Sequence, residues 1–302
     1  MGFEVVAEGL RFPEGPVWME DGSVIVVEIE SGRIVRVTPN GKKEVVATPG
    51  GGPNGAAIGP DGALYVANSG GMEFFETDGV LMTYGAAAPD YKTGSIDRVD
   101  LTTGKVERLY HVVDGRRLSS PNDIVFDRNG GIWFTDYGKH IEHSRHDGGI
   151  FYARPDGSFI KRVVDGIHPN GIGLSPDDCK LYVALTEQRL VLEYGVAGPG
   201  ELSGVETGGR VVTSFPGRQM LDSLALTADG QICVATLAEK PGIASIDPVT
   251  GKYVDHPFPD FYTTNICFGG KDMRDAWITF STTGRLVKTR WDRPGLKLAY
   301  YA

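Results

Sequence analysis

Short apolar runs alternate with polar turns along the whole chain, in a pattern that recurs six times. Each copy begins with an acidic or amide residue, continues into an apolar run, reaches a turn seven residues later and enters a second apolar run. We call the six starting residues the anchors; they are Glu14, Asn54, Asn122, Asn170, Asp222 and Asn265. The turns begin with Asp21, Asp61, Asn129, Asp177, Asp229 and Asp272. Because acidic or amide residues recur at both positions, the agreement indicates a true structural repeat.

The runs after the turns have the composition of β-strands. Val24 to Val27, Ile132 to Thr135 and Leu181 to Ala184 are rich in β-branched and aromatic residues and are bounded by turn-forming residues. Third and fourth runs often follow, and no stretch of more than about ten residues has a helical period. Four strands in each unit of roughly 40 to 70 residues are typical of a β-propeller. The sequence predicts one all-β domain, residues 1–302, folded as a six-bladed propeller with four-stranded blades.

The two ends of the chain carry apolar runs outside the repeat. Phe3 to Ala7 precedes the first anchor and is predicted to complete the last blade, which closes the ring and removes an exposed edge. Lys297 to Tyr301 offers a late strand for the sixth unit. An alternative all-β fold, two packed sandwiches, would not require a sixfold anchor.

Composition narrows the classes of partner. The formal net charge is -9 and the sequence pI is near 5.2, whereas nucleic acids and anionic membranes require a basic face. No apolar segment approaches the roughly 20 residues of a membrane span, and Met1 to Glu4 lacks a secretory pattern. The three cysteines have no close spacing, which fits reduced thiols in the cytoplasm. We therefore expect a cytoplasmic protein that binds neither nucleic acid nor membrane; its oligomeric state stays open.

The repeat predicts where polar side chains meet. If each anchor begins the innermost strand of a blade, all six lie at one end of a central channel. Residues about fourteen positions later return to that end; Glu28, Asn68, Asp136, Thr186 and Thr236 are such residues, and all five are polar. By the same logic the longest loops, Ser69 to Thr93 and Tyr137 to Gly148, overhang this end.

Carboxylate and amide oxygens that converge without Cys or His suit a hard cation such as Ca²⁺, Mg²⁺ or Mn²⁺. Glu14 and Asp222 would balance the charge of a divalent ion. In the alternative interpretation, Asn and Asp at a blade entrance bind only local backbone in turns. This alternative applies best to Asn54 and Asn265.

Several segments resemble the gluconolactonase, senescence-marker-protein and luciferin-regenerating-enzyme family. They are Arg11 to Trp18, Ser120 to Asp123, Ile132 to Asp136, Pro169 to Gly171 and Leu221 to Ser223. The resemblance covers essentially the full length, with the motifs in the order of the family. It implies a six-bladed propeller with one divalent metal ion in the central channel.

The resemblance also implies roles for individual residues. Glu14, Asn170 and Asp222 match the direct metal ligands, and Asp222 matches the carboxylate proposed as general base. Asn122 matches the position that contacts substrate or completes the metal shell. Members are reported with calcium, zinc, manganese or iron(II); we expect Ca²⁺, with Zn²⁺, Mn²⁺, Mg²⁺ and Fe²⁺ as alternatives.

The chain departs from the family at two places. Ser120 stands where animal members carry an arginine that serves sugar-acid lactones. Asp136, Tyr137 and Gly138 are contiguous, whereas bacterial sugar lactonases usually have a proline-containing insertion there. Both differences leave the particular lactone open.

The predicted function is metal-dependent hydrolysis of a small lactone of the sugar-acid type. The metal would polarise the carbonyl, and either Asp222 or a metal-bound hydroxide would activate water. Asn122, Asn68, Tyr137 and His168 are the predicted substrate contacts. For Asn68 and Tyr137 the alternative is ordinary hydrogen bonding within loops.

Other chemistry is also considered. His140, His143 and His146 could bind a second metal or clamp substrate, or could simply belong to a solvated loop. An aryl-ester or phosphotriester hydrolase could use the same site, particularly if the aromatic and methionine residues of Ser69 to Thr93 lined an apolar pocket; these are Met72, Phe74, Phe75 and Met82. A non-catalytic ligand-binding propeller is the alternative of a different class. The chain has no Gly-x-Ser-x-Gly elbow, which argues against an acyl-serine hydrolase.

Overall fold

The computed structural model describes residues 2–301, which are almost entirely β-structure. Within this range the only helical element is a single 3₁₀ turn at Val205–Thr207. No helix here has the length and apolar character needed to cross a membrane. The predicted all-β class is confirmed.

Six antiparallel sheets follow one another along the chain, and each contains one copy of the sequence repeat. In order of pairing, the strands of the first three sheets are Pro13–Trp18, Val24–Glu28, Arg33–Val37 and Lys43–Ala47; then Pro53–Ile58, Leu64–Asn68, Ser95–Val99 and Val106–Tyr110; then Pro121–Phe126, Ile132–Asp136, Gly148–Ala153 and Ile160–Ile167. The strands of the fifth and sixth are Gln219–Leu226, Ile232–Ala238, Gly242–Ile246 and Tyr253–Pro257; then Thr263–Gly269, Asp275–Phe280, Arg285–Arg290 and Glu4–Ala7.

The fourth sheet has a fifth strand that the repeat did not predict. Pro169–Leu174, Lys180–Leu185 and Leu190–Gly198 pair in order, and both Glu201–Ser203 and Arg210–Ser214 then pair with the long third strand. The third strand is long enough to pair with both, because Arg210–Ser214 pairs with its residues 190–193 and Glu201–Ser203 pairs with its residues 195–198.

The first strand of each sheet lies against the first strand of the next, and the first strand of the sixth sheet lies against that of the first. Apolar clusters fill the space between successive sheets. One such cluster joins Val24, Val26 and Val35 of the first sheet to Trp277 and Leu286 of the sixth. The core is therefore divided into layers between sheets, and the anchors lie at the starts of the first strands.

The two long loops between second and third strands form a sheet of their own. Its strands, in order, are Met72–Thr77, Val80–Ala87, Lys139–Ile141 and Ser144–His146, and we call it the lid sheet. The two loops meet through a parallel pairing of Ala86 with His140. The sequence predicted that both loops overhang the same end; it did not predict that they pair. A separate two-stranded ribbon joins Val112–Val113 to Arg116–Arg117.

The N-terminal run behaves as expected, but the C-terminal run does not. Glu4–Ala7 pairs with Arg285–Arg290 and completes the sixth sheet. Residues 297–301, expected as a late strand, are not a strand. Instead Tyr300 packs edge-on against Phe126, and Tyr301 against Trp18, at the end of the first strands opposite to the anchors. Aromatic packing onto the core outweighs edge pairing for this segment.

Candidate functional site

Every first strand contains a register shift beside its anchor. The pairing of first and second strands is interrupted at Glu14/Val17, Pro53/Ala56, Pro121/Ile124, Pro169/Ile172, Leu221/Leu224 and Thr263/Asn265. A bulge re-aims a side chain out of the regular alternation of a strand. The six anchors therefore share a local distortion that the sequence repeat alone did not reveal.

Two glycines allow the first strands to approach closely at the anchors. Gly15 has φ of +49°, and a Cβ there would overlap the carbonyl oxygen of Asn54. A Cβ on Gly171 would lie 2.7 Å from the carbonyl oxygen of Asp222. Each glycine directly follows an anchor and packs against the next anchor segment, so any larger residue would push the sheets apart.

Five of the six anchors line a single cavity of about 320 Å³; they are Glu14, Asn54, Asn122, Asn170 and Asp222. The lid sheet covers it with Met72, Thr83 and Tyr84, and with Lys139 and His140. The predicted metal ligands are thus brought together beneath the predicted lid.

The amide oxygens of Asn122 and Asn170 accept no hydrogen bond, although both residues are more than nine-tenths buried. An unsatisfied buried acceptor costs about 1–3 kcal/mol. Both oxygens belong to residues that line the cavity with Glu14 and Asp222. Local turn bonding, the alternative interpretation, does not explain these two oxygens.

Asn265 is the anchor that does not line this cavity. Its Nδ2 donates to Oε2 of Glu14 at 2.7 Å, and its Oδ1 accepts from the backbone N–H of Ile266 at 2.8 Å. The N–H of Gly15 also donates to Glu14 Oε2, at 2.6 Å. Only the Oδ1 of Asn265 makes the local backbone bond of the alternative interpretation; its Nδ2 instead orients the Glu14 carboxylate.

Three carboxyl groups crowd this end of the first strands. Burial raises the pKa of Glu14 to about 7, against the opposing hydrogen bonds from Asn265, Gly15 and Thr264. Burial and the neighbouring Glu14 raise the pKa of Asp123 to about 7 and raise that of Asp222 well above its usual range. Asp222 retains some exposed surface toward the cavity but is otherwise surrounded by protein. A cation would relieve this accumulation of negative charge.

The residues fourteen positions after the anchors do not form a second tier of ligands. Three of them bind the backbone that leads into an anchor. Asn68 Oδ1 accepts from Gly52 N–H at 3.0 Å, Glu28 Oε1 accepts from Arg11 N–H at 3.0 Å, and the Asp136 oxygens accept from the N–H groups of Ser119 and Ser120, both at 2.7 Å. Thr236 donates to a nearby carbonyl, and only Thr186 lines the cavity. The expected second tier was wrong, because these side chains turn toward the strand entrances.

The predicted substrate contacts separate into two groups. Asn122 and Tyr137 line the cavity. Asn68 does not: besides its bonds to Gly52 and Gly70, its Nδ2 donates to Gly50 O and Asp97 Oδ2, so both ends of the amide are occupied. His168 also lies outside the lining, with Nδ1 3.2 Å from the Tyr137 carbonyl oxygen; burial lowers its pKa.

Tyr137 belongs to a polar group at the edge of the cavity. Its hydroxyl donates to Glu187 Oε1 at 3.2 Å, and the Arg145 guanidinium lies 4.8 Å from its ring centroid. Arg145 also binds both Glu187 oxygens, at 3.0 and 2.9 Å. Sequence reasoning missed Glu187 and Arg145, since the first lies one residue after a predicted channel position and the second between the loop histidines.

Sequence reasoning also missed Lys139. This lysine is 1% exposed, lines the cavity and donates from Nζ to Gly71 O at 2.9 Å. Its position directly after Asp136-Tyr137-Gly138 was the available signal, but a lysine in a loop is normally solvated.

The histidine loop shows no second metal centre. His140, His143 and His146 are exposed on the hairpin of the lid sheet, and only His140 lines the cavity. Across residues 2–301, no group of three or more His, Cys, Asp or Glu side chains is arranged to hold a metal ion. The cavity offers a different set of donors: the carboxylates of Glu14 and Asp222 together with the amide oxygens of Asn122 and Asn170.

This donor set fits a hard divalent cation. Glu14 and Asp222 supply negative charge, and the unpaired oxygens of Asn122 and Asn170 supply neutral donors; all four are oxygen ligands of the kind that Ca²⁺ takes.

Curated relatives share part of the chain. A gluconolactonase from Zymomonas mobilis is 29% identical over 207 residues, 61% of this chain and 52% of that protein. Lactonase drp35 from Staphylococcus haemolyticus is 26% identical over 231 residues, 76% of this chain and 64% of that protein. The chain thus spans between about half and two thirds of the length of these relatives.

Solved structures share the fold over nearly the whole chain. A gluconolactonase from Xanthomonas campestris is 23% identical, with a TM-score of 0.75 and coverage of 97% of this chain and 89% of that one. A calcium-binding regucalcin from Agrobacterium tumefaciens is 18% identical, with a TM-score of 0.73 and coverage of 99% and 98%. The family model described as the SMP-30/gluconolactonase/LRE-like region matches residues 12–282. The chain therefore belongs to the SMP-30/gluconolactonase/LRE-like family.

Proposed function

We propose that the protein hydrolyses a small lactone with the help of one divalent cation held by Glu14, Asn122, Asn170 and Asp222. The observation that carries this proposal is the pair of unpaired, buried amide oxygens of Asn122 and Asn170 in one cavity with two carboxylates. The family and the lactonase names of the relatives support the same reaction class.

The proposed architecture is a single six-bladed propeller whose ring is closed by the N-terminal strand. The cyclic contact of the six first strands and the pairing of Glu4–Ala7 with the last strand support it. In this arrangement the anchors surround one mouth of the channel, and Tyr300 and Tyr301 cover the other.

Ca²⁺ is the favoured ion, since all four donors are oxygens and two are neutral amides. One structural relative is described as calcium-binding, which agrees with this choice. Zn²⁺, Mn²⁺, Mg²⁺ and Fe²⁺ are the alternatives to test. A bound divalent ion would polarise the lactone carbonyl, stabilise the oxyanion and keep the surrounding carboxyl groups ionised.

The side chains of the chain supply the remaining steps. Asp222, which is open to the cavity, accepts the proton of the attacking water as general base. Asn122 and Tyr137 orient the substrate from two sides of the cavity, and Glu14 is held in place by Asn265. The lid sheet covers the cavity and limits access of bulk water.

An aryl-ester or phosphotriester hydrolase is the second candidate, and the lid residues expected to favour it are mostly absent from the cavity wall. Of the four residues expected to form an apolar pocket, only Met72 lines the cavity. Phe74 packs against Phe12 at 5.0 Å, and Phe75 stacks on Tyr84 at 4.5 Å. These aromatic rings stabilise the lid sheet instead of widening a hydrophobic pocket.

The test is lactone hydrolysis by metal-stripped protein, followed with a pH indicator on aldono- and aromatic lactones, with each ion added back separately. We expect one or more ions to restore turnover in the wild type and none to restore it in Glu14→Gln. Tight ion binding without turnover of any lactone would reject the lactonase proposal and favour the ester hydrolase. Asp222→Asn separates an enzyme from a binding protein: a folded variant without turnover supports catalysis, whereas unfolding indicates a purely structural ion.

A further inference from the structure

Asn54 is the one anchor of the cavity that has no assigned role. It lies on the first strand of the second sheet, Pro53–Ile58, and lines the cavity. Only 6% of its surface is exposed. Among residues 2–301, no group forms a hydrogen bond with either end of its side-chain amide. The local turn bonding that was the alternative interpretation for Asn54 is therefore not observed.

The amide of Asn54 is open to the cavity, whereas two oxygens of the proposed cation site are enclosed. The Oδ1 atoms of Asn122 and Asn170 are unpaired and have almost no surface accessible to water, which suits a small ion. The polar side-chain atoms of Asn54 are not enclosed in this way, so its exposed fraction faces the cavity. Asn54 therefore reaches the space that a substrate would occupy, and not the enclosed position of these two oxygens.

Close packing between first strands fixes the backbone on both sides of Asn54. Gly15 packs against the carbonyl oxygen of Asn54. A Cβ on Gly55 would lie 2.6 Å from the carbonyl oxygen of Asn122, so this side is equally close. A donor on a backbone held in this way needs little reorganisation when negative charge develops beside it, which is the condition for effective electrostatic catalysis.

Asn54 lies across the ring of first strands from Asp222. The six first strands are in cyclic contact, and the second and fifth sheets are three steps apart in either direction. Asp222 is the proposed general base, so the water that it activates approaches the lactone carbonyl from the fifth sheet. As the carbonyl carbon becomes tetrahedral, its oxygen bends away from that water, toward the second sheet, and gains negative charge. The side-chain nitrogen of Asn54 is a hydrogen-bond donor on that side of the cavity.

We propose that Asn54 is a catalytic residue that donates from Nδ2 to the lactone carbonyl oxygen and stabilises the negative charge that develops there. This inference rests on the proposed lactonase function and adds a residue to its machinery. Asp222 takes one proton of the water, the water oxygen bonds to the carbonyl carbon, and the π electron pair moves to the oxygen beside Asn54. When that pair returns, the bond from the carbon to the ring oxygen breaks, and the ring oxygen takes the proton from Asp222. Asn54 transfers no proton in either step.

The experiment compares Asn54→Ala with the wild type in steady-state hydrolysis of D-glucono-1,5-lactone by the metal-loaded protein. We expect kcat to fall about 10- to 100-fold while KM changes less than about threefold, because the contact strengthens only as charge develops. The loss is smaller than that of a donor acting alone, since the proposed cation shares the charge. Asn54→Ser places a smaller donor at the same position and should recover part of kcat. Asn129→Ala removes an amide from an exposed turn and should change neither constant.

Cation affinity, measured by chelator competition, separates this role from metal ligation. It should be the same in Asn54→Ala and in the wild type. A clear fall in affinity would assign Asn54 to the cation, and a higher KM at unchanged kcat would make it an ordinary binding contact. Either result overturns the inference, as does a variant with unchanged kcat and KM. Failure of Asn54→Ala to fold also overturns it, because the amide would then have a structural partner.

A binding measurement separates this inference from the proposed function. A six-membered cyclic phosphonate monoester has a tetrahedral phosphorus and an anionic oxygen, which imitate the adduct of water and lactone. If the metal-loaded wild type hydrolyses no lactone, calorimetry with this compound still tests the donor. Binding that is about 10- to 100-fold weaker in Asn54→Ala supports the contact although the lactonase proposal has failed. Equal affinity in the two proteins, or no binding by the wild type, rejects it.

Discussion

Asn265 donates from Nδ2 to Oε2 of Glu14 at 2.7 Å, although the two residues lie 251 positions apart in the chain. The opposite end of the same amide is fixed by the N–H of Ile266. Asn265 therefore holds one oxygen of Glu14, the same Oε2 that accepts from the backbone N–H of Gly15. The residue acts through Glu14, as a positioning residue for the proposed cation site.

Replacing Asn265 by Leu should weaken cation binding by about 10- to 100-fold, because partners that orient a metal ligand typically contribute this much. The affinity can be measured by chelator competition. Asn129→Ala, in an exposed turn at the other end of a first strand, is the control and should bind as the wild type does. Unchanged affinity in Asn265→Leu would show that Glu14 needs no support.

Asn122→Leu should abolish tight cation binding without destabilising the metal-free protein. The buried Oδ1 of Asn122 has no hydrogen-bond partner, so an apolar side chain of similar size removes an unsatisfied acceptor. Thermal unfolding in the presence of chelator checks the second half of this prediction. A clear fall in the stability of the metal-free variant would mean that the amide has a structural partner instead of an ion.

Leu81→Ala should loosen the lid sheet while leaving the six main sheets intact. Leu81 is buried against Phe12 and Ile29, and its N–H donates to Thr282 O at 2.9 Å. Losing this contact costs about 2 kcal/mol, which is enough to open a local element but not the whole fold. Hydrogen exchange should accelerate within residues 72–87, and KM should rise. Val112→Ala, outside the lid, should change neither; accelerated exchange throughout the protein would contradict a local effect.

The buried Lys139 makes the stability of the wild type depend on pH. Its pKa is lowered from 10.5 to about 8 in the folded state, a difference that corresponds to about 3 kcal/mol. Below pH 8 the folded state bears the full cost of the buried charge. Between pH 8 and 10.5 the folded state loses this proton before the unfolded state does, so stability rises with pH.

Lys139→Met lacks this titration. The free energy of unfolding of the wild type, relative to that of the variant, should therefore increase from pH 7 to pH 9.5. Urea unfolding of both proteins at the two pH values measures the change. A constant difference would indicate that water or an ion already stabilises the ammonium.

The repeat made most of the architecture predictable, because spacing of strands and turns is a local property. The positions of the anchors identified the residues that meet at the cavity, and the run Phe3 to Ala7 was assigned to the last sheet correctly. The sequence assigned Asn54 and Asn265 the same alternative, a structural role, yet Asn54 lines the cavity and Asn265 does not.

Other features depend on contacts between distant parts of the chain. The bulges at the anchors and the occupied amide of Asn68 arise from how strands enter the sheets. The lid sheet arises when Ala86 meets His140, and neither segment alone has a strand pattern strong enough to predict it. Lys139 was missed for the same reason: only the meeting of the two loops buries it.

The sixth sheet combines Glu4–Ala7 with three strands from the other end of the chain. Pairing across so large a sequence separation gives a high contact order, and such pairings form late and slowly. On the ribosome, the first five sheets can assemble while the N-terminal strand waits for residues 285–290 to emerge. Since Asn265 orients Glu14 only after the sixth sheet packs against the first, the cation site should mature as the last event of folding. Tight ion binding would then distinguish completed chains from nascent ones.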